Sequence, residues 1–497
     1  MNIQQMITRA LFCLLAWCTL AVAPALAQTI THVPLFTIDD DSGGETLLGF
    51  SVSGAGDVNA DGIPDLIAGG PGVFNSPFYD STISGTARVY SGSDGSVLYS
   101  FDGDSVGDRF GFSVSGAGDI NGDGFADLIV GAPADGVDAT TSGSARVFSG
   151  VDGSVLYDFE GDSVGDRFGG SVSGADDVNG DGVPDLIVGA SHRGDNNGSN
   201  SGRVRVFSGI DGSVLYTFDG DSLNDRFFGN SVSGAGDVNG DGTPDLIVGA
   251  QVGNGRARVF SGSDGSQLYN FDGDSLNDGF GGSVSGAGDL NGDGFDDLIV
   301  GARFSNELAG VARVFSGVDG SVLYNLEGDF PSGLGESVSG AGDVNGDGVP
   351  DLIVGAPSDG NMELVDDGYF FSGSAQVFSG LDGSVIYNFV GDSIGDSFGW
   401  SVSGLGDING DGVDDFVVGA GVRIGFTGDG YVRVFVSQIT PLLKGDVDQD
   451  GDVDFDDIGP FIAALQAGVF QAEADCDCST VVDFADIPAF IAILQGQ

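Results

Sequence analysis

Seven times along this chain the pattern Asp-x-Asn-x-Asp-Gly-x-x-Asp places side-chain oxygens at positions 1, 3, 5 and 9 of a short loop. The copies are Asp57, Asn59, Asp61 and Asp65; Asp119, Asn121, Asp123 and Asp127; Asp177, Asn179, Asp181 and Asp185; Asp237, Asn239, Asp241 and Asp245; Asp289, Asn291, Asp293 and Asp297; Asp343, Asn345, Asp347 and Asp351; and Asp407, Asn409, Asp411 and Asp415. All donors are oxygens, and glycine at position 6 permits a sharp turn. A hard cation that takes six to eight oxygens suits such a loop, with the position 7 carbonyl (Phe125 in the second copy) adding one more. Calcium fits this donor set better than magnesium. Without a cation, three carboxylates held close together repel one another or raise their pKa values. The role predicted is structural: about seven Ca2+ ions, each pinning one turn, at affinities of about 10⁻⁴ to 10⁻³ M.

Composition agrees with cation binding. The 497 residues include 74 Asp and Glu against 16 Lys and Arg, a formal net charge of −58. A field of that sign repels phosphate backbones and anionic lipid, so nucleic acid is excluded as a partner. Hydrophobic residues make up 41% of the chain, with 36 Phe, so a large core is affordable despite 90 Gly. Six arginines hold one place in the repeat (Arg88, Arg146, Arg205, Arg258, Arg313, Arg433) and three another (Arg109, Arg167, Arg226). Locked to the repeat in this way, they are expected to pair with acidic neighbours.

The elements that position the loops recur at spacings of 52 to 64 residues. Each acidic loop follows a Ser-Val-Ser-Gly segment (Ser113 to Gly116) and precedes an apolar run (Leu128 to Ala132). Then come Ala145 to Phe148, a Ser-Gly-x-Asp-Gly-Ser turn, and Val155 to Phe159. These are four short β-type runs, the last two joined by a hairpin signal. The second run is apolar on both faces and predicts a covered sheet. The first recognisable strand, Val33 to Ile38, has the fourth-strand pattern, while the seventh repeat stops after its third strand, Tyr431 to Val436. These orphans are complementary, and together they predict an all-β, seven-bladed β-propeller closed by a one-plus-three strand blade.

Phe-Gly before the first strand (Phe110-Gly111, Phe168-Gly169, Phe228-Gly229, Phe280-Gly281, Phe398-Gly399) and Gly-Ala-Pro after the second (Gly131-Ala132-Pro133, Gly355-Ala356-Pro357) resemble FG-GAP repeats, the units of the integrin α-subunit propeller. Leu48-Gly49 and Leu334-Gly335 depart from this pattern, as does Gly189-Ala190-Ser191. The resemblance spans about residues 31 to 437.

Residues 1–27 read as a cleavable signal peptide: a basic start to Arg9, an apolar run from Ala10 to Ala23, and Ala25-Leu26-Ala27 as the cleavage site, leaving Gln28 as the mature start. An exported, secreted or cell-surface protein without a transmembrane anchor is expected. The propeller is assigned residues 28–437 and a linker 438–444. The tail, 445–497, carries two related halves, Asp454 to Leu465 and Asp483 to Leu494, each with one short amphipathic helix. Ahead of the first, Asp446, Asp448, Asp450, Asp452, Asp454 and Asp457 take EF-hand-type positions around Gly451. The second loop, Asp475, Asp477, Ser479, Asp483 and Asp486, has Thr480 where glycine is expected and should bind more weakly, giving one or two tail sites. This arrangement resembles a small α-helical dockerin domain, and the resemblance implies calcium-dependent folding and a cohesin-like receptor. Phe455-Asp456 and Phe484-Ala485 depart from the Ser-Thr type of cellulosomal dockerins. Cys476 and Cys478 receive no function.

The reading that follows is a calcium-stabilised, non-catalytic binding or adhesion protein with a protein or polysaccharide ligand on the propeller. Insertions between second and third strands, Pro71 to Ser84, Pro133 to Ser144, Ser191 to Gly202 and Pro357 to Gly373, are its expected recognition loops. Phe78, Tyr79, Asp366, Asp367, Tyr369 and Phe370 are the candidate contacts. Arg193-Gly194-Asp195 is read as chance in a chain rich in Gly and Asp. The alternative is a secreted polysaccharide-active enzyme or cellulosome-type component. Against it, no nucleophile motif occurs, His32 and His192 are the only histidines, and nearly every carboxylate has a repeat position.

Overall fold

A computed structural model describes residues 28–40, 46–72, 83–133, 142–192, 201–220, 227–365, 368–421 and 430–441. Residues Val33–Ser437 form one compact unit, the propeller; residues 1–32 and 438–497 group separately. Seven four-stranded antiparallel sheets make up the blades. In blade two, Ser113–Gly118, Asp127–Ala132, Ser144–Phe148 and Val155–Glu160 follow one another in chain order across the sheet. The other blades repeat this order. Blade six adds a small hairpin, Met362–Val365 with Gly368–Phe371, between its second and third strands.

The seventh sheet closes the ring as the strand arithmetic requires. Its order runs from Gln28–Asp39 through Tyr431–Pro441 and Asp415–Ala420 to Ser401–Gly406, so the outer strand comes from the other end of the chain. Both closing strands are longer than the apolar patterns alone suggest, and the second runs to Pro441, into the expected linker. The tail, with Asp446, Asp448, Asp450, Asp452, Asp457, Asp475, Asp477, Ser479 and Asp486, lies outside the described residues, as do residues 1–27.

Burial follows strand type. Second strands are buried at every position, first strands bury their Val and Ala (Val114 and Ala117 in blade two) with half-buried residues between, and fourth strands are exposed or half-buried at nearly every position. Each blade interface has its own apolar cluster. Between blades one and two, Ile67, Ala87 and Val89 meet Phe110, Leu128, Val130 and Phe148. At the closing interface Leu48, Leu66 and Tyr90 meet Val417, Val432 and Val434, with Val33, Phe36 and Ile38 packed alongside.

Two kinds of hydrogen bond stitch neighbouring blades. The Ser51 hydroxyl accepts from Val114 N–H, and the pattern passes through Ser113 to Val172, Ser171 to Val232, Ser231 to Val284, Ser283 to Val338 and Ser337 to Val402, until Ser401 accepts from Val52 at 3.0 Å. This is an unbroken circle of seven bonds around the inner strands. Further out, fourth-strand tyrosines donate to a glycine carbonyl of the next blade, as Tyr157 does to Gly209 at 2.8 Å. The Phe-Gly and Gly-Ala glycines are explained by close approach: a Cβ on Gly131 would sit 2.0 Å from the Gly169 carbonyl oxygen.

Candidate functional site

The strand registers place two sets of loops at opposite ends of each blade. Phe168 pairs with Ala190 at the end of the second strand and bridges Gly143 at the start of the previous blade's third, so the Phe-Gly turns and the insertions share one end. The acidic loops, with the hairpins joining third and fourth strands, occupy the other.

Within an acidic loop the oxygens at positions 1, 3 and 5 are gathered by backbone N–H groups. In blade two, Asp119 and Asn121 both accept from Asp123 N–H, at 3.0 and 2.9 Å; Asp119 also accepts from Gly124 N–H and Asp123 from Phe125 N–H. Gly124 adopts φ 90° with open space around it, so glycine is required there for its left-handed backbone. Blade one has Ala60 at position 4, at φ 56°, where the other loops have glycine.

Position 9 has a role that spacing did not disclose. All seven of these aspartates, Asp65, Asp127, Asp185, Asp245, Asp297, Asp351 and Asp415, are fully buried. One oxygen of Asp127 accepts from Ile120 N–H at 2.9 Å, and the other from Gly150 N–H, also at 2.9 Å, in the hairpin that follows the third strand. The same two bonds recur in each blade, Ser437 N–H replacing the glycine in the seventh. The carboxylate thus braces the loop against its own sheet, and in several blades it also accepts from the position 3 asparagine, as Asp351 does from Asn345 Nδ2 at 3.0 Å on both oxygens. Burial is the main cause that pushes Asp65, Asp127, Asp185, Asp245 and Asp297 up to about 6, and Asp351 and Asp415 up to about 7. Repulsion from position 5 adds to it, while the backbone N–H bonds oppose it. A carboxylate so placed favours a nearby cation. Among the described residues no three His, Cys, Asp or Glu side chains converge at ligand distance. The first-turn set is two carboxylates and one amide, with position 9 turned inward. The donors fit a hard cation in kind and charge.

The arginines pair with acids as their repeat places suggest: Arg146 with Asp104 at 2.6 Å, and Arg205, Arg313 and Arg433 with Asp162, Asp274 and Asp392. The guanidinium groups of Arg205, Arg313 and Arg433 also lie over the Phe-Gly phenylalanines Phe168, Phe280 and Phe398, each 5.7 Å from the ring centre. Arg226 is outside the described residues. So are the candidate contacts Phe78, Tyr79, Asp366 and Asp367; Tyr369 and Phe370 fall in the blade-six hairpin, with only their backbone described.

At the end bearing the Phe-Gly turns, the axis opens into a cavity of about 330 Å³ that the sequence did not announce. The residue following each Phe-Gly or Leu-Gly pair reaches it: Phe50, Phe112, Gly170, Asn230, Gly282, Glu336 and Trp400. The residue preceding each pair has a left-handed backbone, with φ between 50° and 65° at Leu47, Arg109, Arg167, Phe227 and Ser397. Such angles cost a non-glycine residue about 1–2 kcal/mol, and here they are held by a turn in which Arg167 O, for example, accepts from Gly170 N–H at 3.1 Å. Arg109, Arg167 and Arg303 line the opening, and Arg303 pairs with Glu336. Glu336 is the one carboxylate among its described lining residues.

Comparison with known proteins follows the same repeats. The FG-GAP repeat family matches residues 110–148, 168–207, 228–269, 280–322, 334–377 and 398–435. The first blade, with Leu48-Gly49, falls outside these matches, although its strands and acidic loop are those of the others. Integrin alpha-5 of Xenopus laevis is 32% identical over 257 residues, covering 50% of this chain and 20% of that protein. Integrin alpha-V of Gallus gallus is 31% identical over 220 residues, 41% of this chain and 20% of that protein. Integrin alpha-PS5 of Drosophila melanogaster is 34% identical over 179 residues, 32% of this chain and 18% of that protein. The chain therefore spans about a fifth of the length of these relatives.

Proposed function

Because this chain is an integrin-like β-propeller of FG-GAP repeats, we propose that it is an exported, calcium-stabilised, non-catalytic binding or adhesion protein. The observation that carries the reading is the division of each blade into an end given over to an oxygen-rich loop and an end given over to turns and insertions. Calcium at the first end, held by positions 1, 3 and 5 with the position 7 carbonyl and position 9 behind them, would neutralise the loop and fix the hairpin. That leaves the other end free to present a recognition surface to a protein or polysaccharide. The tail, 445–497, would add one or two calcium sites and dock to a cohesin-like receptor, and residues 1–27 would direct export.

The integrin relatives favour the non-catalytic reading over the polysaccharide-active alternative. Carboxylate-based glycoside hydrolysis uses two acidic groups flanking the scissile bond, and Glu336 stands without a second one among the described lining residues. The test is binding of the purified mature protein to a polysaccharide and matrix-protein array, with calcium and with chelator, scoring retention and cleavage. Calcium-dependent retention without cleavage is the expected result. Cleavage of any glycan would overturn it in favour of a secreted polysaccharide-active enzyme.

A further inference from the structure

We propose that Asn409 is a self-modifying residue, converted to Asp and isoAsp by the loop that holds it. Six of the seven acidic loops set Asn before Gly at positions 3 and 4, and blade one sets Asn59 before Ala60. Glycine has no Cβ to shield its own backbone nitrogen, and that nitrogen lies one residue from the asparagine amide. In the reaction it attacks the asparagine Cγ. The N–Cγ bond forms, the Cγ–Nδ2 bond breaks, and Nδ2 takes a proton from solvent to leave as ammonia, while the attacking nitrogen gives up its own proton. Water then opens the cyclic imide at either carbonyl, and the chain continues through Asp or through isoAsp. Water is the one co-reactant, and no oxidant or reductant takes part.

Three groups in the blade-seven loop serve these steps. Asp411 N–H donates to the Asn409 side-chain carbonyl oxygen at 2.9 Å. Negative charge develops on that oxygen as the nitrogen attacks, and a fixed backbone donor aimed at it stabilises the charge. Asn409 Nδ2 donates to Ser437 O at 3.0 Å, so the amide is held from both ends. Asp407 Oδ1 accepts from Gly410 N–H at 2.7 Å, on the proton that the attacking nitrogen must lose, where a carboxylate acts as base. The first two groups have counterparts in blades two and five. Asn121 and Asn291 accept from Asp123 and Asp293 N–H at 2.9 Å and donate to the Ser149 and Ser316 hydroxyls. The third, the carboxylate on the glycine N–H, is found among the described loops in blade seven alone. Asn409 and Gly410 are exposed, and a Cβ on Gly410 would meet nothing within 4 Å, so water reaches the imide. In blade four, by contrast, Phe295 of the next blade covers Gly240, 2.6 Å from where its Cβ would be. Conversion to Asp raises the first-turn set of this loop from two carboxylates to three. Conversion to isoAsp adds a methylene to the main chain and moves the donors out of register.

The test is peptide mapping of the full-length protein over time, with Asn, Asp and isoAsp counted at each loop. The protein is kept in chelator so that no cation competes for Asp407. Asn409 should convert roughly 10- to 100-fold faster than Asn121 and Asn291 in the same molecules, the lower range of what a placed base supplies, and Asn59 should be slowest. In urea, where sequence remains and the fold does not, Asn121, Asn291 and Asn409 should convert at like rates. Asp407→Asn keeps an acceptor for Gly410 N–H but removes the base, and should bring Asn409 down to the rate of the other two. Gly410→Ala places a methyl in open space, as Ala60 does in blade one, and should slow Asn409 as well. Unchanged rates at Asn121 and Asn291 show that each variant has kept its fold. An Asn409 rate no higher than theirs in the folded protein, a lead that persists in urea, or a lead that survives Asp407→Asn would each overturn the proposal.

Discussion

Replacing Asp127 by Asn separates its two jobs, because the answer depends on pH and calcium in opposite ways. Asp127 is fully buried and accepts from Ile120 and Gly150 N–H at 2.9 Å each. Asparagine keeps one acceptor and points an NH2 at the other N–H, which leaves a buried donor unmet at a cost of about 1–3 kcal/mol. Against this, the wild-type carboxylate carries its own penalty when no cation is present. Its pKa rises from 3.8 in an unfolded chain to about 6 in the fold, chiefly through burial. At about 1.4 kcal/mol for each pH unit, that is about 3 kcal/mol of stability lost once the group ionises. The sign is set by proton binding. Between pH 3.8 and about 6 the folded state holds a proton that the unfolded chain has released, so wild-type stability falls as pH rises through that window and levels off above it. Of this loss, about 1.4 kcal/mol falls between about pH 5 and pH 8. In chelator, therefore, Asp127→Asn should be destabilising near pH 5, and its ΔΔG should shrink by about 1.4 kcal/mol by pH 8. In saturating calcium at pH 8 the substitution should again be costly, by at least about 2 kcal/mol, since the cation repays a charge that asparagine lacks. Urea denaturation followed by circular dichroism reads all three conditions. Asp123→Ala, at exposed position 5, is the control: below about 1 kcal/mol in chelator, larger in calcium. A ΔΔG for Asp127→Asn that is indifferent to both pH and calcium would refute the reasoning.

Other substitutions test the packing. Ala60→Gly relieves a left-handed alanine at φ 56° and should raise stability by roughly 0.5–1 kcal/mol, read as a higher melting temperature. Gly131→Ala drives a Cβ to 2.0 Å from the Gly169 carbonyl oxygen; the two blades must part, and a loss of about 2–4 kcal/mol in urea denaturation is expected. Tyr157→Phe removes the bond to Gly209 O at 2.8 Å and should cost about 0.5–1.5 kcal/mol by the same measurement.

Much of this fold is legible in the sequence because each blade restates it. The doubly apolar second strands, the Asp-Gly hairpins and the mismatch between Val33 to Ile38 and the truncated seventh repeat are local patterns, and they lead to the closed ring. What stays hidden are contacts between residues some 60 positions apart. The first serine of Ser-Val-Ser-Gly recurs in all seven repeats, yet nothing within its own strand shows that it serves the next blade's valine. The position 9 aspartate matches a cation-loop template so well that its backbone partners, one of them 23 residues on at Gly150, have no separate signature. The axial cavity is least visible of all. Its residues occupy a repeat position that tolerates Phe, Gly, Asn, Glu and Trp, and such variation resembles an unconstrained turn until seven blades are set around one axis.

The closing blade also imposes a timetable. The strand within Gln28–Asp39 is among the first parts of the chain to be made, but its partner begins at Tyr431. At roughly 5–20 residues per second, synthesis takes on the order of 20–80 seconds to deliver that partner. Through that interval Val33, Phe36 and Ile38 can reach Leu66 and Tyr90 of the first blade but lack Val417, Val432 and Val434 and their strand partner, and the strand's edge is open to wrong pairing. A holdase that shields the first 40 or so residues during synthesis, or transport of the whole chain before any blade closes, would serve this protein for the same reason. The earliest strand made is the last one seated.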